Sequence, residues 1–107
     1  MGDWIIALSH VSAYQASAAR ALIDLGAHMA AVAGQRNENI EISLRCTREF
    51  NATTGIHLGR DIAKPLGEHL QGMGGGHATA AGVNGTGDAE TGLKRCLRLL
   101  KEKLSNH

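Results

Sequence analysis

Met29–Cys46, reading MAAVAGQRNENIEISLRC, is the stretch that decides the fold. Met29-Ala30-Ala31-Val32-Ala33 is an unbroken apolar run, the pattern of a strand covered on both faces. Gly34 to Asn39 is polar and reads as a turn. Beyond it Ile40, Ile42 and Leu44 alternate with Glu41, Ser43 and Arg45. Alternation puts the apolar side chains on one face of a strand and the polar ones on the other. Two such strands joined by a short turn make a hairpin.

Reading outward toward the N-terminus, Trp4-Ile5-Ile6-Ala7-Leu8 is a second continuous apolar run and predicts a strand buried on both faces. Ser12 with Gln15 three residues on forms a capping-box pattern, so a helix is expected from there to Leu25. Its apolar stripe would be Ala18, Ala21, Leu22 and Leu25, with Gly26 as the stop. Toward the C-terminus, Thr47 to Gly59 reads weakly, with Thr53-Thr54-Gly55 as loop. Leu58, Ile62, Leu66 and Leu70 recur every fourth residue and predict a helix that Pro65 kinks or divides. Gly72-Met73-Gly74-Gly75-Gly76 is read as irregular. Ala80-Ala81-Gly82-Val83 reads as a short buried strand. Asp88 caps a last helix whose apolar face is Leu93, Cys96, Leu97, Leu100 and Leu104. The order β-α-β-β-α-loop-β-α describes one small α/β domain over residues 1–107, with a mixed sheet of about four to five strands flanked by helices.

Composition agrees with a single folded unit. The 107 residues are 43% hydrophobic and 20% charged, enough to bury an aliphatic core around the three aromatics Trp4, Tyr14 and Phe50. Eleven Lys and Arg stand against ten Asp and Glu, a net charge of +1. That excludes a strongly basic coat for nucleic acid but leaves room for a small phosphate pocket. Cys46 and Cys96 form no CxxC pair and are expected as reduced thiols. No apolar run approaches the ~20 residues of a membrane span, and no secretory leader is legible. A soluble, cytoplasmic protein without membrane contact is expected.

The chemistry concentrates in Gly72-Met73-Gly74-Gly75-Gly76-His77-Ala78-Thr79-Ala80-Ala81-Gly82. Three glycines in a row are tolerated where the backbone needs positive φ or where a ligand must approach it closely. Successive N–H groups in a glycine turn form an anion-binding concavity, and His77 adds a donor beside it. A dinucleotide fingerprint is excluded, since its third glycine would fall on His77. The triphosphate loop is excluded because no Gly-Lys-Ser/Thr occurs. A plain flexible linker remains the other reading. A second constellation is Ser43, Arg45 and Thr47, which would share one strand face. Two hydroxyls around a guanidinium suit a phosphodiester. The same residues also fit a solvated face with Arg45 paired to a carboxylate.

Gly74-Gly75-Gly76-His77-Ala78-Thr79-Ala80-Ala81-Gly82, GGGHxxAAG, resembles the signature of the DHHA1 domain. That domain is the C-terminal substrate-binding module of DHH-family phosphoesterases. Ser43-Leu44-Arg45-Cys46 is similar to the Ser-x-Arg-Ser motif of the same domain, with Cys46 in place of the second Ser. The resemblance runs over nearly the whole chain and leans toward the RecJ-like nucleases, particularly archaeal ones. It implies a division of labour. A separate N-terminal DHH domain of the same polypeptide would carry two divalent metals, manganese or magnesium, and the hydrolytic chemistry. This chain has no Asp-His-His motif, so it is expected to be inactive alone and to hold single-stranded nucleic acid or a short oligonucleotide. The implied phosphate-binding residues are Gly74, Gly75, Gly76, His77, Arg45, Ser43 and Thr47, with no catalytic residue, metal ligand or cofactor in the chain itself. Two alternatives stand beside it: a non-catalytic RNA-binding module like that of alanyl-tRNA synthetases, or a substrate domain for a small phosphorylated molecule. Among His10, His28, His57, His69, His77 and His107, no pair has the i,i+4 helical spacing of a zinc site. Ser9 and His10 lack the third group and oxyanion hole of a hydrolase triad.

Overall fold

In a computed structural model, which describes residues 1–106, a five-stranded mixed sheet is packed on one face by most of the helices. The strands are β1 (Ile6–His10), β2 (Met29–Arg36), β3 (Asn39–Cys46), β4 (Met73–Gly76) and β5 (Ala80–Thr86). Their order across the sheet is β1-β2-β3-β5-β4, and only β1 and β2 run parallel. The helices are α1 (Gln15–Asp24), α2 (Arg48–Thr54), α3 (Lys64–His69) and α4 (Ala89–Ser105). His107, the last of the six histidines, lies outside the described residues.

The β2–β3 hairpin forms as its alternation predicts, with Ile40, Ile42, Leu44 and Cys46 buried and Glu41 exposed. The strands run further into the polar stretch than expected, leaving Asn37 and Glu38 as the turn, with Asn37 at positive φ. Leu58, Ile62, Leu66 and Leu70 all point into the core. Pro65 divides their helix: Leu58–Ala63 is a π-helical turn, and α3 begins where the proline sits in its first turn. The two segments are continuous, with Ala63 already helical (φ −64°, ψ −45°), and the proline falls where the hydrogen bonding changes from π to α. Asp88 caps α4 by accepting the Thr91 amide at 2.7 Å.

Several expectations are corrected. The first strand is Ile6–His10 rather than Trp4–Leu8, and it is a half-buried edge strand with Leu8 exposed. Ser12 does not cap α1: Tyr14 stands at the cap position in the left-handed region (φ 62°) with no side-chain cap bond. Leu25 is 84% exposed, and α1 instead buries Ala19 with Ala18, Leu22 and Ile23. Thr53 and Thr54, expected as loop, are the last residues of α2, which fills the weakly read stretch, is capped by the Thr47 hydroxyl and is ended by Gly55 at φ 75°. The glycine run is also regular, since Met73–Gly76 forms edge strand β4, antiparallel to β5. On α4, Leu99 is more buried than Leu97.

The main core lies between one sheet face and α2, the π-helical turn, α3 and α4. Phe50, Ile42, Ile56, Leu58, Ile62 and Leu66 are fully buried there, each worth roughly 1.5–3 kcal/mol of hydrophobic transfer. The other face is covered only by α1, over Ala30 and Val32 of β2 and Ala7 of β1. α1 also lies alongside β3, and the part of that face made by β5 and β4 carries no helix.

Candidate nucleic-acid interface

Strand register assigns this face residue by residue. Directly paired residues of antiparallel strands point to the same side. Three rows therefore cross β2, β3, β5 and β4. The first is Ala30, Arg45 and Ala80, extended by His77, whose amide donates to the Ala80 carbonyl at 2.8 Å. The second is Val32, Ser43, Gly82 and Gly75, and the third is Gly34, Glu41, Asn84 and Met73. The rows repeat about every 7 Å along the strands.

The glycines separate into two kinds. Gly74 and Gly76 face the main core, where a Cβ on Gly74 would lie 2.5 Å from the Ala63 carbonyl carbon and one on Gly76 would lie 2.6 Å from Ala81 Cα. Their partners are glycines too: a Cβ on Gly59 would fall 2.6 Å from the Gly76 carbonyl carbon, and one on Gly67 2.5 Å from the Met73 carbonyl carbon. The π-helical turn and α3 thus rest directly on the main chain of β4. Gly75 is different. It faces the open side, and a Cβ there would meet nothing within 4 Å. Neighbouring Gly82 has only the Ile42 carbonyl oxygen, at 3.8 Å. Packing explains Gly74 and Gly76, and it leaves Gly75 and Gly82 as a bare, exposed floor.

The concavity of consecutive N–H groups expected of a glycine turn does not form, because successive amides of a strand point alternately to its two sides. The groups on this face able to meet an anion are therefore side chains. Arg45 is half-exposed at one end of the floor and makes no ion pair among the described residues. The reading of a carboxylate-paired Arg45 is thereby set aside. Ser43 is half-buried in the middle row, and His77 is exposed in the loop joining β4 to β5.

That loop is held firmly. The His77 carbonyl accepts the Gly59 amide, the Ala78 carbonyl accepts the Leu58 amide and the Thr79 carbonyl accepts the Cys46 amide, each at 3.0 Å. Cys46 points to the core side, with its thiol 3.7 Å from the Ala78 carbonyl oxygen. Burial pushes that thiol up to about 11, so it is neutral and unreactive at ordinary pH. Thr47 lies beyond the strand, its hydroxyl accepting the Phe50 amide at 3.0 Å. It therefore does not share the face of Ser43 and Arg45 in the way strand alternation implied. Asp61 accepts the Arg60 guanidinium at 2.9 Å and the His57 amide at 2.8 Å, which lowers its carboxyl below the usual range.

No group of three or more His, Cys, Asp and Glu side chains among the described residues can hold a metal ion. The residues here do not fit a two-metal centre. No described helix is long and apolar enough to cross a membrane. Sequence reading missed Tyr14, Glu41 and Asn84, which border the same open face. Glu41 was legible by alternation with Ser43 and Arg45.

A mixed five-stranded sheet with a glycine floor, an unpaired arginine beside it and a main-chain-anchored histidine loop defines a small α/β domain. The family model of the DHHA1 domain matches residues 9–106, and the chain belongs to that family. It is 35% identical over 95 residues to an uncharacterized protein of Methanocaldococcus jannaschii. That match covers 87% of this chain and 28% of the relative, so the chain spans under a third of that protein's length. The fold is also similar to the crystal structure of the C-Ala domain of Aquifex aeolicus alanyl-tRNA synthetase. There the TM-score is 0.68 at 21% identity, covering 96% of this chain and 93% of that one.

Proposed function

We propose that this chain holds single-stranded nucleic acid or a short oligonucleotide on its open half-sheet, presenting it to a metal-dependent phosphoesterase domain of RecJ-like type in the same polypeptide. The observation that carries this reading is the pair Gly75–Gly82. Two adjacent exposed residues lack side chains where the protein itself has room for them, directly beside Ser43 and one row from Arg45 and His77. A sugar–phosphate backbone lies flat on such a floor while the guanidinium and imidazole meet its phosphates. The manganese or magnesium ions of hydrolysis belong, in this reading, to the DHH domain. Near-neutral net charge suits a short ligand in the cytoplasm better than a long electrostatic track.

The test is an NMR titration of the chain with a short single-stranded oligonucleotide in the absence of metal. Amide shifts are expected at Gly75, His77 and Gly82 and around Arg45, and they should weaken in Arg45→Ala and His77→Ala. Shifts scattered over α4 with unchanged affinity in both variants would overturn the assignment. A second reading, an RNA-binding module without an attached nuclease, draws on the fold shared with the alanyl-tRNA synthetase domain. A structured RNA hairpin binding more tightly than a single strand of equal length would favour it.

A further inference from the structure

The third row of the open face leads into a groove that the phosphate-binding residues do not occupy. It lies between the start of α1 and the ends of β2, β3 and β5, with a volume of about 540 Å³, and its borders include Tyr14, Gln15, Arg36, Glu41 and Asn84. That volume is within the range of small-ligand sites.

Its chemistry differs from that of the Arg45 end. Tyr14 is the only tyrosine of the chain. It is 82% exposed at the groove's lip, and the left-handed backbone at the start of α1 presents it there. Across the sheet, Met73 closes the same row and is 80% exposed. Between them stand the Glu41 carboxylate and the Asn84 carboxamide, paired in register. Neither Glu41, Asn84 nor Arg36 makes a side-chain hydrogen bond or ion pair among the described residues, whereas nearby Gln35 is fully engaged with Asn37, Gly87 and Ala89. Exposed apolar surfaces above unengaged amide and carboxylate groups fit a flat, hydrogen-bonding ring: the faces stack, and the edge meets donors and acceptors.

We propose that this groove is a nucleobase subsite, with Tyr14 as the stacking platform and Glu41 and Asn84 facing the base edge. The inference rests on the reading of the Arg45 end as the phosphate site and adds a direction. Phosphate lies at the row of Arg45 and His77, sugar over Gly75 and Gly82, and base in the groove beside Tyr14. The outer rows are about 14 Å apart along the strands, a span suited to one nucleotide. A carboxylate facing the base edge accepts from an exocyclic amino group, which thymine lacks, so bases that carry one are favoured over thymine.

The experiment compares two single strands of equal length and phosphate number, oligo-dA and a fully abasic strand, binding to the parent chain, Tyr14→Ala, Tyr14→Phe and Arg45→Ala. Oligo-dA should bind the parent about tenfold more tightly than the abasic strand. Tyr14→Ala should remove that advantage and Tyr14→Phe should keep it, while Arg45→Ala weakens both strands. The ring protons of Tyr14, unique in the spectrum, should shift with oligo-dA only. Equal binding of oligo-dA and abasic strand by the parent, or an unchanged preference in Tyr14→Ala, overturns the base subsite and leaves the phosphate reading standing. Failure of both strands to bind the parent overturns the two together. Because Tyr14 is exposed, its substitution leaves the core untouched, and unchanged amide spectra elsewhere confirm the fold.

Discussion

Gly59 and Gly76 meet backbone to backbone, and the Gly59 amide donates to the carbonyl of the next residue, His77, at 3.0 Å. This contact fixes the π-helical turn against β4 and, through it, the loop that carries His77. Cβ-free residues on both sides allow it. The glycine run is thereby a scaffold on one face and an open floor on the other.

That division predicts opposite outcomes for two similar substitutions. Gly59→Ala forces a methyl into the β4 main chain and should cost about 1–3 kcal/mol in urea unfolding. Gly75→Ala meets open space and should leave stability unchanged or slightly raised, since alanine is less costly than glycine in a strand. Its oligonucleotide affinity should nonetheless fall about fivefold, because a methyl would intrude on the floor where the ligand lies. A folded Gly75→Ala with full affinity would remove the floor from the binding site.

Arg45→Ala should weaken oligonucleotide binding about tenfold, the loss of a charge-assisted contact. The slope of log affinity against log salt should also become shallower by about 0.7, the value per phosphate of a single strand. His77→Ala should weaken binding with the fold intact, since its side chain is exposed and its loop is anchored by main-chain bonds. Titrations at three salt concentrations with circular dichroism controls check both.

Thr47 separates structural from ligand roles. Its hydroxyl caps α2, so Thr47→Ala should cost about 1 kcal/mol of stability. Thr47→Ser should restore it. Affinity should stay within about twofold of the parent once the folded fraction is corrected for. A tenfold loss of affinity in a fully folded Thr47→Ala would return Thr47 to the phosphate site.

The pH profile of stability should fall at both ends. Burial raises the Cys46 thiol to about 11 and the Cys96 thiol to about 12, against ~8.5 in an unfolded chain. A raised folded value means stability that is complete below the unfolded value and lost as pH climbs through the folded ones. On the acid side, Asp61 is lowered by its hydrogen bond from Arg60 and Asp88 by its hydrogen bond from the Thr91 amide. Their contribution is present above the unfolded value of ~3.9 and is lost as pH falls through the folded ones. Urea midpoints should therefore be level between about pH 5 and 8. Iodoacetamide should label both cysteines only after unfolding, and rapid labelling of native Cys96 at pH 8 would contradict its burial.

What could be read from the chain alone follows a physical division. Alternation in Ile40, Ile42 and Leu44, the four-residue recurrence from Leu58 to Leu70 and the Asp88 cap are local signals, and each formed as its pattern implied. The motif Gly74–Gly82 with Arg45 was sufficient to indicate the family. Strand β4 was not legible, because glycine carries no strand propensity and its partners are supplied by β5, α3 and the π-helical turn. Nor was the exposure of Leu25, which follows from how α1 lies across β2 and β3. The candidate site shows the same split. The sequence determined which residue types were present, Arg45, His77 and the glycines. Tertiary packing decided that Gly74 and Gly76 serve the core, that Thr47 turns away into a cap and that Gly75, Gly82 and Tyr14 border one open surface. Periodicity reports which face a side chain takes within its own element; only the register between strands and the helices laid across them determine which faces remain uncovered.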